Sequence, residues 1–240
     1  MLTYRTAGSG PPILLLHGAA EDIGLLTPQA EAFAARGWRA IWADRRGTGT
    51  GPRGDWPAGG VAGHADDAAH LLEALGATPA TVLGFSSGGV IALALAARHP
   101  ALISEAIAWE PAALGVLPGA DEIHAGLLAP IRAHLGEHPG DWPGAYRVML
   151  DVLSDGRADH DAPVVQAMRR NAEAALRDDA EIITRHRFTA LPADRVRVAV
   201  GAGTDPLHGR IAEHLSALTG RPPLTVAAAG DHEVYLHHPD

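Results

Sequence analysis

The sequence predicts an α/β fold: a mostly parallel central sheet with helices on both faces and a helical lid inserted between strands. Three observations predict it. Short apolar runs alternate with longer Ala-rich or amphipathic segments, separated by Gly, Pro and polar turn residues. Some of those runs, such as ILLL at 13–16 and AIAW at 106–109, are continuous rather than alternating, as strands buried on both faces require. From about 111–190 the strand rhythm stops, and a Pro-interrupted, helix-forming stretch replaces it that is too long for a loop. The expected organisation is therefore a core of residues 1–110 and 191–240 with a cap of residues 111–190.

Taken in order, residues 2–6 read as a short strand ended by the AGSGPP turn, and 13–16 as a buried strand ending in His17-Gly18. A helix is expected over 28–36, stopped by Gly37. The strand at 38–43 empties into the loop DRRGTGTGPRG. An amphipathic helix follows at about 61–75, stopped by Gly76. Then come a strand at 81–84, an apolar helix at 88–98 closed by His99 and Pro100, and a strand at 103–109. After the cap, strands at 196–201 and 224–228 flank a helix at 207–219.

Composition excludes several functions. The formal net charge is −9, which disfavours nucleic acid and anionic membranes as partners. The chain has no cysteine, so disulfide scaffolds, thiolate metal sites and a cysteine nucleophile are out. The first residues, MLTYRTAGSG, lack a basic segment followed by an apolar core. No apolar stretch approaches a membrane span. A cytoplasmic protein acting on a small molecule is the expectation, as a monomer or a homodimer. No cofactor or metal is expected. The terminal His237-His238-Pro239-Asp240 has no second set of ligands to complete a metal site.

Residues 84–88, Gly84-Phe85-Ser86-Ser87-Gly88, match G-x-S-x-G between the strand TVLG and the helix GGVIALALAARH. At such a strand-to-helix turn a serine is forced into a strained backbone and its Oγ is thrust out at the sheet's carboxyl edge. The helix N-terminus beside it offers N–H groups and a partial positive charge to a developing oxyanion. Without chemistry, the same residues would be a Gly/Ser-rich turn.

With GSGPPILLLHG, DRRGTGTG, GFSSGG, GAGTDP and GDH in this order along almost the whole chain, the sequence resembles the α/β-hydrolase superfamily, in its serine esterase and lipase-like branch. The resemblance implies a triad and its positions. Ser86 is the nucleophile. Asp205, after the penultimate strand, is the acid, and His232, after the last, is the base. Glu110, ending AIAW, is the alternative acid, because some relatives carry it there. Asp205 also suits the N-cap of the helix that follows. His208 is a lesser rival to His232. The oxyanion hole falls to the backbone N–H groups of Ala19 and Ser87, with His17 bracing the turn. Asp44, Arg45, Arg46 and Gly47 read as loop braces rather than a phosphate site. The chain ends soon after His232, which leaves little room for the family's last helix.

The cap mixes charges with apolar side chains, among them Leu114, Leu117, Ile123, Leu127, Leu128, Ile131, Met149, Leu150, Val152 and Leu153. The helical spacing of Leu127, Leu128 and Ile131 suits packing against the core. Ala20, Phe85 and Trp109 are expected to line the substrate pocket. The implied activity is cleavage of an ester or related acyl bond in a small to medium, fairly apolar substrate through an acyl-enzyme. The same residues also suit carbon–carbon bond hydrolysis, perhydrolysis, or a non-catalytic small-molecule-binding protein of hydrolase ancestry.

Overall fold

The computed structural model describes residues 1–238. Pro239 and Asp240, half of the terminal His-His-Pro-Asp tail, lie outside the described residues. Seven strands form one sheet in the order β1-β3-β2-β4-β5-β6-β7. They are β1 (Tyr4–Ala7), β2 (Pro12–Leu16), β3 (Arg39–Ala43), β4 (Ala80–Phe85), β5 (Ile103–Trp109), β6 (Val196–Gly201) and β7 (Leu224–Val226). Only β1 runs antiparallel, paired to β3; every other neighbouring pair is parallel. A parallel sheet needs a crossover between neighbours, and here helices supply it. The helices of the core are α1 (Thr27–Ala35), α2 (Gly60–Ala74) and α3 (Ser87–Arg98), with α8 (Pro206–Thr219) between β6 and β7.

The continuous apolar strands are central for the expected reason. Leu14, Leu15, Ile41 and Val82 are fully buried, because helices cover both faces of the sheet. Helix α3 is apolar all round and almost every residue in it is buried, so it runs through the core rather than along the surface. Alternate side chains of β2 and β4 feed two apolar clusters, one on each face of the sheet.

No strand forms between Trp109 and Val196 among the described residues. The stretch holds α4 (Ala120–Glu137), α5 (Trp142–Ser154), α6 (Pro163–Met168) and α7 (Ala172–Ala174). The last runs on into a π-helical turn, Ala175–Ala180. Leu128, Ile131, Tyr146, Met149, Met168 and Leu176 form a separate apolar cluster over the sheet's carboxyl edge. The ends of the stretch behave differently. Leu114, Leu117, Ile183 and Phe188 pack into the main core beside α3, so the cap is rooted in the core at both junctions. A last short helix, α9 (Val234–His237), follows His232. Among the described residues no helix is long and apolar enough to cross a membrane.

Candidate active site

The carboxyl ends of β2, β4, β5 and β6 meet at one edge, and each delivers one part of the site. At the end of β4, Ser86 takes φ 52° and ψ −117°, a conformation an L-residue adopts only under strain. Space explains the flanking glycines. A Cβ on Gly84 would stand 2.2 Å from the Gly88 carbonyl oxygen, and one on Gly88 would stand 2.3 Å from the Leu16 carbonyl oxygen. Strand and helix approach too closely there for any side chain. The Ser86 N–H donates to Trp109 O at 3.0 Å, which ties the turn to the neighbouring strand end.

The histidine finds a different acid from the one expected. His232 Nδ1 is 2.8 Å from Glu110 Oε2. Glu110 is 1% exposed and its φ is 37°, a strained turn directly after β5 that faces the carboxylate toward β6. Its Oε1 accepts the Gly201 N–H at 3.0 Å and the Thr204 hydroxyl. Burial alone would raise its pKa. Hydrogen bonds from His232, Thr204 and Gly201 outweigh burial and bring the group down to about 2.

Asp205, expected as the acid, is engaged elsewhere. Its Oδ1 accepts the Leu207 and His208 N–H groups at 2.8 and 3.1 Å, capping α8 behind Pro206. Its Oδ2 lies 2.5 Å from His208 Nδ1. The His208 side-chain hydrogen bond is the main cause that holds this carboxyl well below its ordinary pKa. The ring of His208 in turn stacks on His232, centroids 4.4 Å apart and planes 24° apart. The sequence reading places His208 only as a lesser rival to His232 and does not foresee its pairing with Asp205. The signal was there, an acid and a histidine three residues apart on the first turn of a helix.

The turn after β2 is held by a polar knot. His17 Nδ1 lies 2.8 Å from Gly18 O, and its Nε2 accepts the Arg45 backbone N–H at 3.3 Å. Arg45 Nε also approaches Nδ1, at 3.4 Å, so the ring sits between the arginine side chain and its own backbone. Desolvation, with Arg45 nearby, puts the His17 pKa well below its ordinary value, which keeps the ring neutral. Arg45 Nη2 also donates to Gly18 O at 2.9 Å. The remaining loop residues brace as expected. Arg46 makes a two-pronged contact with Asp67 at 2.6 and 2.7 Å, and Asp44 accepts from the Ile23 and Thr50 N–H groups.

This architecture matches known proteins. Residues 11–126 match the family model described as alpha/beta hydrolase fold. A carboxylesterase structure from Nitrososphaera gargenis superposes with a TM-score of 0.71 at 19% identity, covering 98% of this chain and 88% of that one. The chain has the α/β-hydrolase fold. YraK, an uncharacterized hydrolase of Bacillus subtilis (strain 168), is 38% identical over 117 residues, 48% of this chain and 43% of YraK. Thus the chain spans less than half the length of that relative. A protein of Caulobacter sp. (strain K31), provisionally named carbamate hydrolase RutD, is 28% identical over 99% of this chain and 91% of its own length.

Within this fold the site opens into a cavity of about 510 Å³ beneath the cap. Ser86, Ser87, Ala19 and His232 line its floor, with His208 and Asp205 on one wall. The cap supplies an apolar roof that includes Leu127, Leu128, Ile131 and Met149. Those helical apolar residues therefore face the cavity as well as packing the cap. The three expected lining residues are corrected. Ala20 is fully buried with φ 63°, turned into the cap cluster. Phe85 points to the opposite face of the sheet and stacks on Tyr235, centroids 4.0 Å apart. Trp109 lies on that face too, and its Nε1 donates to His232 O at 3.0 Å, so it steadies the histidine's backbone.

Among the described residues one group of ligand-type atoms comes together, on Glu110, His208 and His232, all within 4.8 Å of one another. It fits a metal poorly. Stacked rings send their in-plane lone pairs side by side rather than toward one point, and Glu110 already accepts three hydrogen bonds.

Proposed function

We propose that the protein is a serine hydrolase that cleaves a carboxylic ester or related acyl bond through an acyl-enzyme on Ser86. The observation that carries this reading is the Glu110–His232 hydrogen bond in the same cavity as the strained Ser86. A serine hydroxyl needs a base, and the base needs an acid to fix its tautomer and to stabilise the imidazolium that forms. Glu110 accepts the Nδ1–H, which leaves Nε2 of His232 to take the Ser86 proton as Oγ adds to the carbonyl carbon. The same proton then passes to the leaving alcohol. Water repeats the sequence and releases the acid. The N–H groups of Ala19 and Ser87 receive the oxyanion of each tetrahedral intermediate.

The apolar roof supports a fairly apolar acyl or alcohol group of small to medium size. Carbamates, the substrate class in the name of the Caulobacter relative, react by the same carbonyl addition, so an aryl carbamate belongs in the assay beside p-nitrophenyl esters. A fluorophosphonate probe tests the reading. Covalent labelling of the folded protein, abolished by Ser86→Ala, is the expected result. Equal labelling of both, or of neither, would favour a non-catalytic binding protein.

A further inference from the structure

The cap reaches the chemistry through one buried ion pair. Arg45 and Asp179 are each 3% exposed, with Nη2 of the first 2.8 Å from Oδ1 of the second. Asp179 belongs to the cap, in the π-helical turn Ala175–Ala180. That turn carries two consecutive aspartates inward. Asp178 takes His64 Nε2 at 2.7 Å and Trp56 Nε1 at 2.8 Å, while Asp179 lines the cavity beside Ser86 and Ser87. An ordinary α-helix turns successive residues 100° apart; the wider π-turn lets both reach the core, and such turns favour functional sites.

We propose that Asp179, acting through Arg45, is the cap's positioning residue for the oxyanion hole, a role that rests on the serine-hydrolase reading of the site. The same Nη2 that meets Asp179 also donates to the carbonyl oxygen of Gly18. That carbonyl and the N–H of Ala19 belong to one planar trans peptide, so they point in opposite directions. Holding the carbonyl on the Arg45 side turns the N–H the other way, toward the cavity that Ala19 lines. A cationic donor on the carbonyl also polarises the peptide and strengthens its N–H as a donor. Close to it in the same cavity lining, the Ser87 hydroxyl and Oδ2 of Asp179 are both buried without a hydrogen-bond partner among the described residues. Asn171 adds a parallel tie, its Nδ2 donating to the Ala20 and Glu21 carbonyls at 3.1 and 3.2 Å.

The role predicts a defect in transition-state binding with ground-state binding intact. Arg45→Met keeps bulk and loses the hydrogen bonds to Gly18 and Asp179, together with the weaker one to His17. Its kcat on p-nitrophenyl butyrate is expected to fall about 10- to 100-fold, short of the loss for deleting a donor outright. KM should stay within about threefold, and affinity for phenylboronic acid, which forms a tetrahedral adduct on serine, should fall in parallel with kcat. Asp179→Asn keeps an oxygen for Arg45 and should retain most activity, while Asp179→Leu should match Arg45→Met. Thermal melts of each variant establish that the folded state is assayed. Unchanged kcat and boronic acid affinity in a folded Arg45→Met protein would overturn the proposal. So would a raised KM at constant kcat. The hydrolase reading fails separately, in the unsubstituted protein, if fluorophosphonate leaves Ser86 unlabelled.

Discussion

Glu110 and His232, 122 positions apart in the chain, are joined by a 2.8 Å hydrogen bond at the edge of the sheet. Glu110 is locked in place from three directions, whereas Asp205 caps a helix and holds His208. The two carboxylates therefore predict opposite mutational outcomes.

Glu110→Gln should lower kcat/KM on p-nitrophenyl acetate by about 10³- to 10⁴-fold, because the amide cannot stabilise the imidazolium and disturbs the tautomer. Asp205→Asn should cost less than about tenfold, since asparagine still caps the helix. Steady-state kinetics of the two variants decide the matter, and the reverse order would reassign the acid.

Glu21 predicts a pH effect on stability. It lies in the turn after β2, 2% exposed, with Oε1 2.5 Å from the Tyr235 hydroxyl. Burial is the leading cause that raises its pKa to about 7, against the opposing hydrogen bonds from Tyr235 and Gly18 and the charge of Arg45; Glu233 adds to the rise. The folded state therefore holds this proton more tightly than the unfolded chain. Its contribution is full below about pH 4.5 and is lost as pH rises to about 7, amounting to about 3 kcal/mol. Denaturant titrations at pH 5 and pH 8 should show Glu21→Gln losing less stability over that interval than the unsubstituted protein.

Gly88→Ala should destabilise the fold by about 3 kcal/mol or more, because its Cβ would stand 2.3 Å from the Leu16 carbonyl oxygen and neither backbone can retreat. Thermal denaturation reads this directly. Retained stability would mean that β2 and α3 lie further apart than 2.3 Å implies.

Leu127 roofs the cavity and is only partly buried. Leu127→Ala should cost below about 2 kcal/mol and lengthen the preferred acyl chain. Comparing kcat/KM across acetate, butyrate and octanoate p-nitrophenyl esters tests it. An unchanged preference would place the acyl group elsewhere in the cavity.

Much of this was legible from residues alone. The continuous apolar runs announce strands covered on both faces, and those strands form in the sheet. G-x-S-x-G between a strand and an apolar helix announces the elbow, because only glycine fits where strand and helix nearly touch. Phe85 shows the limit. It neighbours the nucleophile in sequence, yet successive side chains of a strand face opposite ways, and it stacks on Tyr235 behind the sheet. Trp109 is misplaced for the same reason.

By itself, then, the sequence determined the sheet, the elbow and the candidate parts, since local backbone sterics and burial patterns dictate those. Only the tertiary structure decided which carboxylate hydrogen-bonds His232. Two carboxylates stood at the ends of neighbouring strands, and the sequence pattern favoured Asp205, with Glu110 as the alternative. The choice depended on where Thr204, Gly201 and His208 came to lie around them, a matter of three-dimensional hydrogen bonding that no spacing along the chain encodes. The partnership of Arg45 with Asp179, 134 residues away, was settled in the same manner.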